Sequence, residues 1–238
     1  MFEAEAEGLR EIAATGTVRV PRAVCTGSDH SQAWIVLEYL ALGSATRGAM
    51  GRLGEQLAAL HRVTSTCCGW TRDNTIGSTP QVNTPTPDWI EFWRRHRLGF
   101  QLDLAARNGY GGALQRDGAQ LIERLREFFA GYRPAASLLH GDLWGGNAGA
   151  IVDGTPVIFD PAVYYGDREA DLAMTELFGG FDVEFYAAYR TASPIDAGYP
   201  MRRTLYNLYH VLNHFNLFGG GYGNQAHTMI GQLLAAAR

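Results

Sequence analysis

His140-Gly141-Asp142-Leu143-Trp144-Gly145-Gly146-Asn147, then Ala150-Ile151-Val152, Asp153-Gly154, Thr155-Pro156-Val157-Ile158-Phe159 and Asp160-Pro161 succeed one another over residues 140–161. Asp-Gly between two apolar runs predicts a tight β-hairpin, because the favoured hairpin turns need residues that tolerate positive φ. Pro156 has no N–H to give to a ladder, so it must start a strand or lie on an edge. Such a hairpin folds its two polar flanks back on each other. Asp142 and Asn147, five residues apart on the entering loop, are then expected to meet Asp160 on the exit.

Downstream of the hairpin, apolar residues recur at helical spacing over 169–178, 183–190, 201–218 and 225–237. Upstream, a helix is expected over 114–130, with Leu114, Leu121, Leu125 and Phe128 inside and Gly131 as its stop. Asp88 with Glu91 three residues on is a capping box, after which Trp89, Trp93 and Phe100 fall near one helical face and read as core. Residues 64–87, rich in Thr, Pro and Asn, read as a loop. Met50, Leu53, Leu57 and Leu60 mark another helix. Before Glu38-Tyr39-Leu40 lie two β-prone runs, 18–25 and 33–37, separated by the turn residues Thr26-Gly27-Ser28-Asp29. Residues 1–15 read as a helix with an acidic first turn. The expected class is α/β of the α+β kind: a small unit over 1–40, and a mainly helical one over 41–238.

The chain has 238 residues, 46% of them hydrophobic, which is enough for a sizeable core. A formal charge of −4 gives no electrostatic ground for a nucleic-acid or anionic-membrane partner. The apolar runs fall far short of the ~20 residues of a membrane-spanning helix. Met-Phe-Glu-Ala-Glu-Ala-Glu at the start is unlike an export signal, so the cytoplasm is expected. Cys25, Cys67 and Cys68 have no metal-ligand spacing. All 20 basic residues are arginine.

Two carboxylates and an amide around a hairpin suit phosphoryl transfer. One carboxylate accepts a hydroxyl proton while the amide and the other carboxylate hold Mg²⁺ against phosphate oxygens. His140, Asp142 and Asn147 follow the kinase catalytic-loop spacing, with Asp160-Pro161 where protein kinases carry Asp-Phe-Gly. Within that superfamily the chain resembles the fructosamine and ketosamine kinases. The resemblance rests on 140–147, on Asn74-Thr75-Ile76-Gly77-Ser78-Thr79-Pro80-Gln81, on Tyr165-Gly166-Asp167-Arg168-Glu169-Ala170-Asp171-Leu172-Ala173, and on Phe218-Gly219-Gly220-Gly221-Tyr222.

The resemblance implies a protein-kinase-like two-lobe fold and ATP- and Mg²⁺-dependent phosphorylation of a sugar hydroxyl on a ketoamine, small or protein-bound, which makes the adduct unstable. It makes Asp142 the catalytic base, Asn147 and Asp160 the Mg²⁺ ligands, and Glu38-Tyr39-Leu40 the hinge whose backbone meets adenine. His140 is expected to support the loop, and Asp171 to brace it through its backbone amides. Trp144 is left between stacking on a sugar and packing on a helix. The glycine-rich loop and phosphate-gripping lysine of the pattern are absent, while Glu5 stands where the lysine's partner should be. An incomplete N-terminal lobe is therefore expected: a shortened reading frame, or a relative that binds without catalysis. Aminoglycoside phosphorylation is the alternative activity.

Overall fold

The computed structural model describes residues 1–44 and 46–237. Ala45 and Arg238, both inside the expected 41–238 unit, lie outside the described residues. Helix α1 (Phe2–Ala14) buries Leu9 and Ile12. It packs on an antiparallel pair, β1 (Ala23–Ser28) and β2 (Ala33–Leu37), which turn through Asp29, whose carboxylate accepts the N–H groups of Ser31 and Gln32. The first expected strand thus starts five residues late. Residues 18–22 instead reach toward the hairpin, where Ile158 donates its N–H to the Arg19 carbonyl.

Strand β3 (Leu42–Gly43) precedes α2 (Arg47–Leu60), which Thr46 caps by accepting the Ala49 N–H. After β4 (Thr64–Ser65), the expected loop contains a small hairpin of β5 (Asn74–Ile76) and β6 (Thr79–Gln81), turning at Gly77 with φ +59°. Strands this short carry no periodicity, and this pair is held by side-chain amides rather than by apolar alternation. Asp88 caps α3 (Trp89–Trp93) through the Glu91 N–H; a wider π-helical stretch (Arg94–Gly99) then leads into α4 (Phe100–Arg107). Trp89 and Trp93 are buried as expected. Phe100, beyond the wider turns, is only half-buried.

The helix expected over 114–130 is α5 (Ala113–Glu123) followed by a 3-10 turn (Leu125–Phe129). Strands β7 (Ala136–Leu139), β8 (Ala148–Ile151), β9 (Pro156–Ile158) and β10 (Tyr164–Gly166) follow. The sheets run β10-β7-β4 and β3-β8-β9, so the expected hairpin is β8-β9, with Pro156 starting its edge strand. Strands β4, β7 and β10 had no sequence signal: Ala-Ser-Leu-Leu is neither alternating nor β-branched. Helices α6 (Glu169–Leu177), α7 (Val183–Ala192), α8 (Tyr199–Phe218) and α9 (Tyr222–Ala236) complete the chain. Helix α8 runs through the core, burying Leu205, Tyr206, Leu208, Tyr209, Val211 and Leu212.

Two ties fix the site's surroundings. Glu11 on α1 accepts from Trp70 Nε1 and Tyr165 OH, and Gly8 lets α1 settle against Val163, which a Cβ there would meet at 2.9 Å. Arg202 on α8 forks onto the buried Glu169 of α6 at 2.7 and 3.1 Å. Helices α2 and α7 meet at Gly54, where a Cβ would lie 2.3 Å from the Phe185 carbonyl oxygen. One turn earlier, at Gly51, a Cβ would meet nothing nearer than 4.0 Å. Gly54→Ala should therefore cost about 1–3 kcal/mol by forcing the helices apart, whereas Gly51→Ala should stabilise by about 0.5–1 kcal/mol through helix propensity. Denaturant melts of the two variants check the opposite signs.

Candidate active site

The loop between β7 and β8 carries His140, Asp142 and Asn147, and its shape is imposed from beneath. Asp171, in the first turn of α6, is buried and accepts three hydrogen bonds: from the N–H of His140 at 2.7 Å, the N–H of Gly141 at 2.8 Å, and His61 Nε2 at 3.1 Å. Burial alone would raise its pKa, but the His61 contact and the Gly141 N–H outweigh that and hold the carboxyl below its ordinary 3.8. Gly141 sits at φ +83°, and a Cβ there would fall 2.1 Å from the Ala162 carbonyl oxygen, so no other residue fits. Ala162 in turn donates its N–H to the His140 carbonyl at 2.9 Å, joining the loop to the segment after β9.

The His140 ring is fully buried, and its two nitrogens have distinct duties. Nδ1 accepts the Asp142 N–H at 3.3 Å, which leaves Nε2 to donate to the Phe159 carbonyl at 3.0 Å. Burial keeps the ring neutral by lowering its pKa, as that tautomer requires. His140 therefore ties both ends of the hairpin, with both ring nitrogens engaged.

The register of β8-β9 pairs Ala148 with Ile158, and the next rung joins Phe159 N–H to the Asn147 carbonyl at 3.0 Å. Asn147 and Asp160 are thereby neighbours. Asn147 Nδ2 donates to the Asp142 carbonyl at 2.9 Å, with the Asp160 carbonyl and the Asp142 carboxylate at 3.4 and 3.5 Å. The amide nitrogen is thus occupied, whereas Oδ1 has no hydrogen-bond partner among the described residues. Asp160 has φ +57°, the one non-glycine residue with positive φ among the described residues. Strain of this kind gathers at functional sites. Asp142, Asn147 and Asp160 line one cavity of about 430 Å³.

Asp142 is pushed up to about 7 by burial and then by the charges of Asp160 and Asp171, with Asn147 pulling the other way. Glu5 on α1 faces Asp160 across an adjoining cavity of about 310 Å³ and is likewise pushed up to about 7, by burial and then Asp160. Neither the arginines nor the histidines line that cavity among its described residues. Glu38 is engaged: its carboxylate takes Arg19 Nη2 and the Arg22 N–H, and its own N–H goes to the Arg22 carbonyl. The Glu38 carbonyl and Leu40 N–H have no hydrogen-bond partner among the described residues. Tyr39 is 89% exposed, so its side chain points to solvent. Trp144 is 38% exposed, folds over Gly146, and meets Phe178 edge to face.

Sequence reasoning missed what lines the rest of the cavity. His210 on α8 places Nδ1 3.9 Å from the Asp142 carboxylate, and burial, then His214, pushes its pKa down to about 3. The β5-β6 hairpin holds the far side of the Asp160 turn: Asn74 Nδ2 donates to the Val163 carbonyl and Gln81 Nε2 to the Ala162 carbonyl. Tyr209 OH then donates to Gln81 Oε1. The spacing of polar residues at 74, 81 and 83 was the available signal. It could not say which backbone they would hold.

The family model described as fructosamine kinase matches residues 1–236. The chain belongs to the fructosamine kinase family. A Synechocystis protein named as a probable ketoamine kinase is 50% identical, covering 98% of this chain and 79% of its own length. The chloroplastic protein-ribulosamine 3-kinase of Arabidopsis thaliana is 45% identical over 98% of this chain and 72% of its own. The crystal structure of a fructosamine-3-kinase candidate from Haemophilus somnus superposes with a TM-score of 0.90 at 28% identity, over 98% of this chain and 79% of that one. The family is one of kinases, and the fold is kinase-like.

Asp171→Asn should lower stability by about 2–3 kcal/mol, since an amide N–H₂ would face donors. A carboxyl held below its unfolded pKa contributes fully above that value and loses the contribution as pH falls through the depressed one. The gap between wild type and variant should thus persist at pH 7 and close below about pH 4, read from denaturant unfolding at both.

Proposed function

We propose that the protein transfers the γ-phosphoryl group of ATP to a sugar hydroxyl of a ketoamine, with Mg²⁺, in the cytoplasm. The observation that carries this is the convergence of Asp142, Asn147 and Asp160 on one cavity in a chain of this kinase family. Relatives named as ketoamine and ribulosamine kinases support the acceptor class.

Asp142 serves as the base. Its carboxylate takes the hydroxyl proton as the sugar oxygen bonds to the γ-phosphorus, and the bond to ADP breaks. The Asn147 amide behind it helps to orient it, and neutral His210 stands beside it at 3.9 Å. Asn147 Oδ1 and the Asp160 carboxylate would hold the metal. No group of three His, Cys, Asp or Glu clusters like a full metal cage among the described residues. That fits Mg²⁺, which takes one or two protein oxygens and completes its shell with phosphate and water. Bound there, the metal would neutralise phosphate charge facing Glu5, Asp142 and Asp160, a region with no arginine on its lining.

The Glu38 carbonyl and Leu40 N–H, without partners among the described residues, are the pair proposed to meet adenine, with residues 1–40 as the nucleotide-facing unit. These 238 residues contain no lysine, and Glu5 is proposed to act on the phosphate side through the cation. No described helix is long and apolar enough to cross a membrane.

The test is ATP turnover with a fructosamine acceptor, following ADP and the mass of the phosphorylated product, beside an aminoglycoside. Asp142→Asn should cut the rate about 10²–10⁴-fold while melting like the wild type; a loss below tenfold would reject the base assignment. Chelation should stop turnover, and added Mg²⁺ should restore it.

A further inference from the structure

One wall of the cavity is made of rings. Trp144 of the loop meets Phe178, just past α6, at 6.0 Å; Phe178 meets His214 of α8 at 5.0 Å. His214 then meets Phe218 at 5.6 Å and Tyr222, which opens α9, at 5.2 Å. His214 is fixed in this series by donating Nδ1–H to the His210 carbonyl. Trp144 and Phe218 remain 38% and 69% exposed, so the rings form a rim rather than a sealed core.

The charge pattern gives these faces a meaning. Although the chain carries 20 arginines, none lines the cavity among its described residues; the acidic groups on it, Asp142 and Asp160, both stand at the end beside Asn147. Ring faces carry negative quadrupole potential, so a wall of this kind attracts cations and repels anions.

We propose that Trp144, Phe178, His214, Phe218 and Tyr222 form the subsite for the protonated amine of the acceptor, held by cation–π contact rather than by an ion pair. The inference rests on the ketoamine reading and specifies what that site recognises. A ketoamine joins its sugar to a secondary amine that is cationic at neutral pH. With the sugar hydroxyl against Asp142, the amine is carried toward the rings. Both acidic groups on the lining are committed to proton and metal duties, which leaves the ring faces as its counterpart. Exposure of Trp144 and Phe218 lets whatever chain the amine bears leave to solvent. Recognition would then read the charge of the adduct and tolerate its substituent.

Two acceptors with the same sugar separate this from simple stacking on the sugar: 1-deoxy-1-propylamino-fructose and its neutral 1-O-propyl ether. Calorimetric titration at pH 7 should show the amine binding about tenfold tighter. Phe218→Leu and Trp144→Leu, which keep apolar bulk and alter exposed side chains, should each shrink that ratio toward one. Equal binding of amine and ether by the wild type, or an unchanged ratio in both variants, would overturn the subsite and leave the ketoamine reading standing. Failure of both acceptors to bind or be phosphorylated would overturn the two together.

Discussion

The site depends on one buried anion. Asp171 accepts the N–H groups of two consecutive loop residues, and two consecutive amides can converge on one carboxylate only if the chain turns sharply between them. Gly141, at positive φ, supplies that turn. The charge is costly to bury alone, and the His61 contact and helix position in the first turn of α6 offset that cost. Loop shape, helix placement and the glycine are thus one constraint, which explains why Asp142 on the cavity wall rests on residues that do not line it.

A second layer fixes the other half. The segment carrying Asp160 leaves β9 through a strained left-handed residue, and a turn of this kind holds only if its surroundings over-determine it. They do: His140 Nε2 takes the Phe159 carbonyl before the turn, while Gln81 and Asn74 take the Ala162 and Val163 carbonyls after it. Asn74, Gln81, Asn83 and Arg97 share their amide and guanidinium groups in one buried network, with Arg97 under the rings of Phe92 and Tyr164. A fully buried arginine is tolerable there because carbonyl oxygens and ring faces replace water around it.

What the sequence revealed follows from which interactions are local. The β8-β9 hairpin was legible because Asp153-Gly154 fixes its own turn, and the meeting of Asn147 with Asp160 follows from ladder register alone. The long helices were legible from their apolar period. Strands β4, β7 and β10 were not, because their pairing partners lie tens of residues away and their short runs have no period of their own. The same limit hid the cavity's outer wall. His210, His214 and Phe218 look like an ordinary amphipathic stretch of α8, and only the packing of that helix across the catalytic loop turns one of its faces toward Asp142.

The resulting cavity is electrically asymmetric. At one end Glu5, Asp142 and Asp160 crowd together, and the first two have raised pKa values because burial and mutual repulsion disfavour their charged forms. That arrangement is unfavourable in isolation and would be relieved by added positive charge. At the other end the wall is aromatic and bears no formal acid. Neutral His210, 3.9 Å from the Asp142 carboxylate, adds no charge to the wall. Under the proposed reading, the acidic end would suit the transferring phosphoryl group with its metal and the ring end the acceptor, so that each reactant would meet a field that matches it.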